Sequence, residues 1–250
     1  MRSLMIFSGA GISADSGVAT FRDKDGLWEN HRIEDVATES TWKANFDKVH
    51  AFYNARRVEL ATVVPNAAHY MVRRMQERFN AQVITQNVDD LFERAGCTDV
   101  IHVHGKLTEM RCEACGGVWD IGYRPWDQTT EVCQGTRKAS CLCRKGVRPN
   151  VVFFGGMAPE YMRLYAALKL AEDTKGTIAV IGTSGKVVDI GAMCAGQPGM
   201  TILSNLESTN EMSMPGAYCV EDRQFKTVLH GRASEMADQV EQAIVASMEA

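Results

Sequence analysis

The chain has 250 residues, 45% hydrophobic and 23% charged, with a formal net charge of −4. That balance fits a soluble globular protein able to bury a full core, as one large domain or a domain carrying an insert. It offers no general basic footprint for nucleic acid, no apolar run of membrane-spanning length and no leader like a signal peptide, so a cytoplasmic, reducing compartment is the simplest fit and the eight cysteines read as metal ligands or free thiols.

The apolar run Leu4-Met5-Ile6-Phe7 is cut off by Ser8-Gly9-Ala10-Gly11, the pattern of a buried strand breaking into a glycine turn. Gly9, Gly11 and Ala14 satisfy G-x-G-x-x-A, which brings backbone N–H groups and a helix N-terminus against a pyrophosphate; the competing reading is a corner whose glycines serve packing. Ser13, Asp15 and Ser16 suit the start of that helix. A dehydrogenase would continue into a second strand ending in Asp or Glu. Here Thr20-Phe21-Arg22-Asp23 and Asp25-Gly26-Leu27-Trp28 make a polar loop with aromatic anchors rather than a strand, which suits a lid over a cofactor and disfavours hydride transfer.

Residues 41–64 carry Phe46, Val49, Phe52, Tyr53, Leu60 and Val63 at roughly helical spacing, with Tyr53 and Arg56 on one face. That pair reads either as a buried aromatic beside a solvated arginine or as a phenol and a guanidinium converging on a carboxylate. After Pro65-Asn66, residues 67–79 form an amphipathic helix on which His69 is packed or capping. A strand over 82–85 runs into Gln86, Asn87 and Asp89, placed at a carboxyl strand end to bond a sugar or carboxamide, or to cap the next helix. In the Val100–Gly105 stretch, alternation puts His102 and His104 on one side of a short strand, where a histidine at the strand end is a natural general base and either one also fits a structural role.

Cys112-Glu113-Ala114-Cys115 opens a cysteine module that continues with Cys133, Cys141 and Cys143. The pattern suggests a tetrahedral structural zinc held by Cys112, Cys115, Cys133 and Cys141, with Cys143 able to replace one of the last two; a redox C-x-x-C lacks its βαβ setting. Residues 151–156 read as another buried strand, 161–171 as a helix and 177–181 as a strand ending in the small-residue turn Gly182-Thr183-Ser184-Gly185. A strand over 200–203 ends in Ser204-Asn205, and 234–248 closes as a helix. The alternation predicts an α/β fold with a doubly wound parallel sheet, and Cys97, Cys194 and Cys219 are expected to be small buried residues.

Taken in order, GAGIS-x-x-SG from Gly9, TFRD and GLW from Thr20, TQNVDDL from Thr85, HVHG from His102, VVFFG from Val151 and GTS from Gly182 resemble a sirtuin, a Sir2-type NAD-dependent protein lysine deacylase, across essentially the whole chain. GLWENHRIEDVAT with FYNARR is similar to the bacterial class III, desuccinylase type. The resemblance implies a Rossmann-like NAD-binding domain of 1–30, 66–108 and 150–250, and a small domain of a helical insert, 31–65, with the zinc module, 109–149. It implies His104 as catalytic base. Gly9, Ala10, Gly11 and Ile12 would hold the pyrophosphate, Phe21, Arg22 and Trp28 would belong to a mobile cofactor loop, and Gln86, Asn87 and Asp89 would line the ribose and nicotinamide pocket. Gly182, Thr183, Ser184, Asn205 and Leu206 would hold the adenosine end, while Val152 and Phe154 would meet an acyl-lysine peptide lying between the domains as a strand. Tyr53 and Arg56 match a Y-x-x-R signature for acidic acyl groups, and Ala37 matches the small residue that leaves that pocket deep. The expected cofactors are NAD and one structural zinc, and the expected partners are acylated protein lysines, with neither nucleic acid nor membrane.

The chain departs from the family's pattern at Gly156, where Glu is usual, at Val188-Asp189, where a proline is common, and in its irregular second cysteine pair. Two other classes of function remain as competitors: an ADP-ribosyltransferase or NADase using the same leaving-group chemistry, and a zinc-stabilised NAD-binding module without turnover.

Overall fold

A computed structural model describes residues 2–19, 27–28, 31–127, 129–134, 146–208 and 219–250. Strand β1 (Leu4–Ser8) turns into α1 (Gly11–Ala14); β2 (Leu27–Trp28) and β3 (His31–Arg32) precede α2 (Ile33–Val36) and α3 (Phe46–Leu60). Next come α4 (Ala67–Phe79), β4 (Gln82–Thr85), α5 (Leu91–Arg94) and β5 (Ile101–His102), then β6 (Gly105–Cys112), β7 (Val118–Asp120) and β8 (Val147–Val151). The chain ends with α6 (Tyr161–Thr174), β9 (Thr177–Ile181), α7 (Ile190–Cys194), β10 (Met200–Asn205), β11 (Thr227–His230) and α8 (Ala233–Glu249).

Six strands form one sheet in the order β11-β10-β9-β1-β4-β5, every pair parallel. The period of two explains why β1 is apolar throughout. Leu4 and Ile6 enter a core with Met71, Val72 and Met75 of α4 and Val240 and Ile244 of α8, while Met5 and Phe7 enter another with Leu164 and Leu168 of α6. The expected Rossmann-like fold is therefore present, and β1 is its central strand.

Strands β7, β6 and β8 make a separate antiparallel sheet. Its strand β6 serves two further cores: Leu107 packs with Val36, Trp42, Tyr53 and Phe153 beside the helical insert, and Met110 and Cys112 pack with Ile121, Trp126 and Val147. A buried arginine ties the two together, because Arg57 Nε donates to Leu107 O at 2.7 Å and Nη1 to Asn54 Oδ1 at 2.6 Å. Burial pushes that guanidinium down to about 10. Asn54 also clasps Trp126, giving Nδ2–H to its carbonyl at 2.9 Å and accepting its N–H at 2.8 Å.

Several expectations are corrected. Of the strand expected over 151–156 only Val151 is in one: β8 runs from Val147 to Val151 and pairs with β6 in the small antiparallel sheet, and beyond it Phe154 makes an isolated parallel bridge to Thr38. The polar loop before residue 31 ends in a short strand, since Leu27 and Trp28 pair with Arg32 and His31. Asp15 does not open α1 but follows it, and caps α8 instead by accepting from Ser234 N–H and Oγ at 3.1 and 2.7 Å. Cys97 and Cys194 are buried as expected, whereas Cys219 is only half-buried.

Candidate active site

In an open α/β sheet the ligand crevice lies beyond the carboxyl strand ends where the strand order reverses, here between β1 and β9. Two glycine turns meet at that point. Gly9 N–H donates to Ile181 O at 3.0 Å and Gly11 N–H to Gly182 O at 2.8 Å, so both glycine amides are taken by the neighbouring turn. A Cβ on Gly11 would lie 2.8 Å from Gly182 Cα, and one on Gly182, whose φ is +64°, would lie 2.4 Å from Ile12 N. Only glycine allows this approach, and at 182 it also allows the left-handed backbone. Of the turn residues, Ala10 and Gly11 remain half-buried and Ser184 is exposed, so they face the crevice mouth.

Hydrogen bonds then run along the carboxyl edge from β4 to β10. Gln86 Nε2 donates to Thr183 Oγ1 at 2.9 Å, Thr183 N–H to Asn205 Oδ1 at 3.0 Å, and Asn205 Nδ2 back to Thr183 O at 2.9 Å. Leu206, one residue further, is about half exposed. A second network centres on Ser13. Its hydroxyl accepts from Asn87 Nδ2 at 3.0 Å and donates to Asp89 Oδ2 at 2.9 Å, with His69 Nε2 at 3.4 Å. Because His69 Nδ1 accepts the Asn66 N–H at 3.2 Å, the ring proton sits on Nε2, towards Ser13. His69 is thus both packed and capping, and burial pushes it down to about 4. Asp89 combines its two expected roles, since Oδ1 also accepts Leu91 N–H at 3.2 Å at the start of α5. Burial raises its carboxyl above the usual range, against the pull of the Ser13 and Leu91 donors.

The two histidines part company. Strand β5 ends at His102, so His104 lies in the turn beyond it, and the expected shared strand face does not form. His102 Nδ1 bonds Asn87 O at 2.8 Å and Nε2 bonds Glu93 Oε1 at 3.0 Å, an oxygen that Lys106 Nζ shares at 2.6 Å. Burial would raise the Glu93 carboxyl, but those two partners bring it down to about 2. His104 faces the other way: Nδ1 lies 3.0 Å from Gln86 O and Nε2 lies 3.0 Å from Tyr161 Oη. A carbonyl can only accept, so the proton is on Nδ1 and Nε2 offers its lone pair. Burial lowers the ring's basicity, which keeps this neutral form in place. The His104 carbonyl accepts Val152 N–H at 2.9 Å, and Gly105 lets β8 pass, since a Cβ there would lie 2.0 Å from Asn150 O.

Behind this edge, Tyr53 of α3 is fully buried with its ring 5.9 Å from Phe153, in one cluster with Ala37, and burial raises its phenol. Arg56 is not the solvated arginine of the structural reading: its side chain is 19% exposed, lies over the Phe52 ring at 5.4 Å and donates to Glu59 Oε1 at 2.6 Å. Ala37 is fixed by backbone pairing, its carbonyl accepting Phe154 N–H at 2.8 Å while Glu39 N–H donates to Phe154 O at 3.0 Å. The departures from the family pattern have local reasons. Gly156 N–H closes a tight turn on Phe153 O at 2.8 Å, and a Cβ there would lie 2.9 Å from that oxygen and 3.2 Å from Glu39 Oε2. Val188 is core, and Asp189 accepts Ala192 N–H at 3.2 Å to cap α7.

In the small sheet the thiol sulfurs of Cys112, Cys115 and Cys133 lie within 4.8 Å of one another, with Cys115 and Cys133 3.5 Å apart. Zinc–thiolate bonds of about 2.3 Å at tetrahedral angles put sulfurs roughly 3.8 Å apart, so these three fit a structural zinc. Cys141 and Cys143, like Phe21 and Arg22 and the side chain of Trp28, lie outside the described residues. Three residues have structural roles not assigned from the sequence, Ser13 and Tyr161 at the site and Arg57 beside it, bonded to the small sheet. Ser13 carried a signal, since it sits inside the glycine motif; Arg57 was masked by Arg56 beside it; Tyr161 had none, being simply the first apolar position of a helix.

A family model described as the Sir2 family matches residues 9–189, which runs from the first glycine turn through His104 to the second. A protein named NAD-dependent protein deacylase from Campylobacter jejuni (subsp. jejuni serotype O:2) is 45% identical over 78% of this chain and 80% of its own length. One of the same name from Helicobacter hepaticus is 38% identical over 83% of this chain and 86% of its own. Among solved structures, an ADP-ribose complex of a Sir2 homologue superposes with a TM-score of 0.78 at 31% identity, covering 99% of this chain and 93% of that one. An NAD complex of a Sir2 homologue gives 0.76 at 31% identity, covering 98% and 90%. With likeness of this extent joined to both glycine turns and the crevice between them, the chain belongs to the Sir2 family.

Proposed function

We propose that this chain is an NAD-dependent protein lysine deacylase acting on succinyl- and malonyl-lysine as well as acetyl-lysine, releasing nicotinamide, O-acyl-ADP-ribose and free lysine. The observation that carries the reading is the state of His104: a neutral imidazole, its Nδ1 proton anchored on Gln86 O, presenting an acceptor nitrogen at the carboxyl edge of the sheet. Relatives 38% to 45% identical bear the name NAD-dependent protein deacylase, which supports the same activity here.

NAD, when bound, supplies the ribose carbon that nicotinamide leaves and the acyl-lysine oxygen attacks. This chain's residues do the rest. Ala10 and Ile12 lie on the turn that Gly9 and Gly11 hold against Gly182, and together these would seat the pyrophosphate. Asn87 and Asp89, locked by Ser13, would bind the carboxamide and ribose, with Gln86 alongside. Thr183, fixed by Asn205, would face the adenosine end with Ser184 and Leu206. His104 takes a proton from a ribose hydroxyl at Nε2 while Gln86 O holds Nδ1–H, a contribution of about 10²–10⁴ in rate for a positioned base. Val152 N–H and both backbone groups of Phe154 are already bonded, which leaves the Val152 carbonyl to accept the substrate's lysine amide and the exposed Phe154 ring to flank it. Zinc on Cys112, Cys115, Cys133 and a fourth thiol would stabilise the small sheet. We assign a large domain of 1–30, 66–108 and 150–250, which holds the two cores of the parallel sheet, and a small one of 31–65 and 109–149; a further core spans the two, where Leu107, Val151 and Phe153 pack against the helical insert. We place the protein in the cytoplasm, a reducing compartment in which thiolates remain available to zinc.

Selection of acidic acyl groups rests on Tyr53 and Arg56 with Ala37 leaving room. The test is a paired assay with NAD on succinyl-lysine and acetyl-lysine versions of one peptide, wild type beside Arg56→Met. Desuccinylation should fall at least tenfold more than deacetylation, because a hydrogen-bonded charge pair is lost only with the former. An equal fall in both would remove the acidic-acyl claim. Nicotinamide release with neither acyl group removed would favour transfer of ADP-ribose to another acceptor or to water.

A further inference from the structure

The acceptor nitrogen of His104 is already occupied. With its proton on Nδ1, the ring can only accept at Nε2, so the Tyr161 hydroxyl 3.0 Å away is the donor. Tyr161 is the first residue of α6 and is held in place: its N–H donates to Ala158 O at 3.2 Å, its ring lies 6.0 Å from His104 and 6.4 Å from Tyr165, and Leu164 and Leu168 anchor the same helix in the sheet core. A base whose lone pair is filled cannot take a substrate proton until that donor leaves.

We propose that Tyr161 is a positioning residue that caps the base: in the cofactor-free protein its phenol stands where the ribose hydroxyl must come, holds the imidazole in its acceptor orientation, and is displaced as NAD binds. The inference rests on His104 being the base. It departs from a plain packing role in one respect, that the cap competes with the ligand. A neutral hydrogen bond contributes a net factor of about two to ten to an equilibrium. Removing the hydroxyl therefore strengthens NAD binding by about that factor, while kcat, set after displacement, stays within about twofold.

The experiment is a double-mutant cycle on the full chain, with NAD affinity measured by calorimetry and kinetics on an acyl-lysine peptide. Tyr161→Phe and Tyr161→Met both remove the hydroxyl and keep an apolar side chain. Each should lower KM for NAD without raising kcat, and neither should change NAD affinity in a His104→Ala background, where the bond is already gone. Imidazole NMR of the cofactor-free protein adds a readout that packing alone would leave still. Donation to Nε2 favours the neutral ring, so losing it raises the His104 midpoint. The groups facing that ring are the Gln86 carbonyl and Tyr161, with Tyr165 behind; His102 and Lys106 are turned to Glu93.

If His104→Ala keeps full deacylation, the base reading fails and this one with it. If His104→Ala is inactive but the Tyr161 variants bind NAD as wild type does, the cap is overturned and the base stands. An affinity gain that persists in the His104→Ala background also overturns it. Wild-type protein alone gives a last check, since an imidazole nitrogen shift showing a free Nε2 lone pair without NAD would do the same.

Discussion

The carboxyl edge of the parallel sheet and the cysteine module are both made of short connections, yet they are held in opposite ways. At the edge, Gln86, Thr183, Asn205, Ser13, Asn87 and Asp89 hydrogen-bond one another, and the two glycine turns lock backbone to backbone. In the module, three thiols gather beside a small core of Met110, Ile121, Trp126 and Val147, with Cys115 and Cys133 in sulfur contact at 3.5 Å. The edge can be complete before any ligand arrives. The proposed zinc would supply what the module's core is too small to provide. Ligand binding should therefore leave the edge's folding untouched, whereas metal binding should be part of the module's folding.

Metal removal is the strongest way to break this comparison. Structural zinc contributes apparent binding energies of about 10–16 kcal/mol, so a chelator, or Cys112→Ser, should open the far end of the small sheet. Hydrogen exchange should show protection lost over residues 110–120 while β1, β4 and β9 keep theirs; equal loss in both regions would refute the division. Glycine substitutions come next. Gly182→Ala forces a Cβ to within 2.4 Å of Ile12 N at φ +64°, and should cost more than about 3 kcal/mol. Gly116→Ala, at φ +70° in the module with nothing within 4 Å, should cost only the backbone preference of about 1–2 kcal/mol. Denaturant melts of the two variants measure the difference, and similar costs would mean that close approach is not what the edge requires.

The same contrast governs what could be read from the sequence. Apolar runs bounded by glycine, such as Leu4–Phe7 before Gly9, announce a strand buried on both faces, and Gly182 repeats the signal after β9. His104 was singled out by the family resemblance, since alternation alone left it level with His102. The small sheet was illegible, because the strand Val147–Val151 carries Arg148, Pro149 and Asn150 and reads as a polar lead-in to the apolar run that follows, and only its pairing with β6, a distant chain segment, makes it a strand. Strand β11 hid in a half-buried edge, where Thr227–His230 has no alternation. Tyr161 shows the limit most plainly: its chemistry depends on a partner 57 residues away, and nothing local to it differs from an ordinary first helical turn.

Acid should reach the edge through His69, with a smaller effect. Its imidazole is fully buried and neutral, pushed down to about 4 from an ordinary 6.5, so below pH 6.5 the unfolded chain binds a proton that the folded one refuses. Stability is therefore lost as pH falls from 6.5 towards 4, by ~2 kcal/mol at pH 5 and ~3 kcal/mol at pH 4. Asp89 works in the opposite direction: its raised carboxyl takes up a proton more readily folded than unfolded, which offsets part of the loss at the acid end. His69→Gln separates the two, because a glutamine amide can still accept from Asn66 N–H and donate towards Ser13 without titrating. Urea melts of wild type and His69→Gln between pH 7 and 4.5 should show a shallower slope in the variant, which keeps only the share of His50, another buried imidazole pushed down to about 4. Parallel slopes would place the acid sensitivity elsewhere, and would mean that the Ser13 network tolerates a charged His69 and is looser than its hydrogen bonds imply.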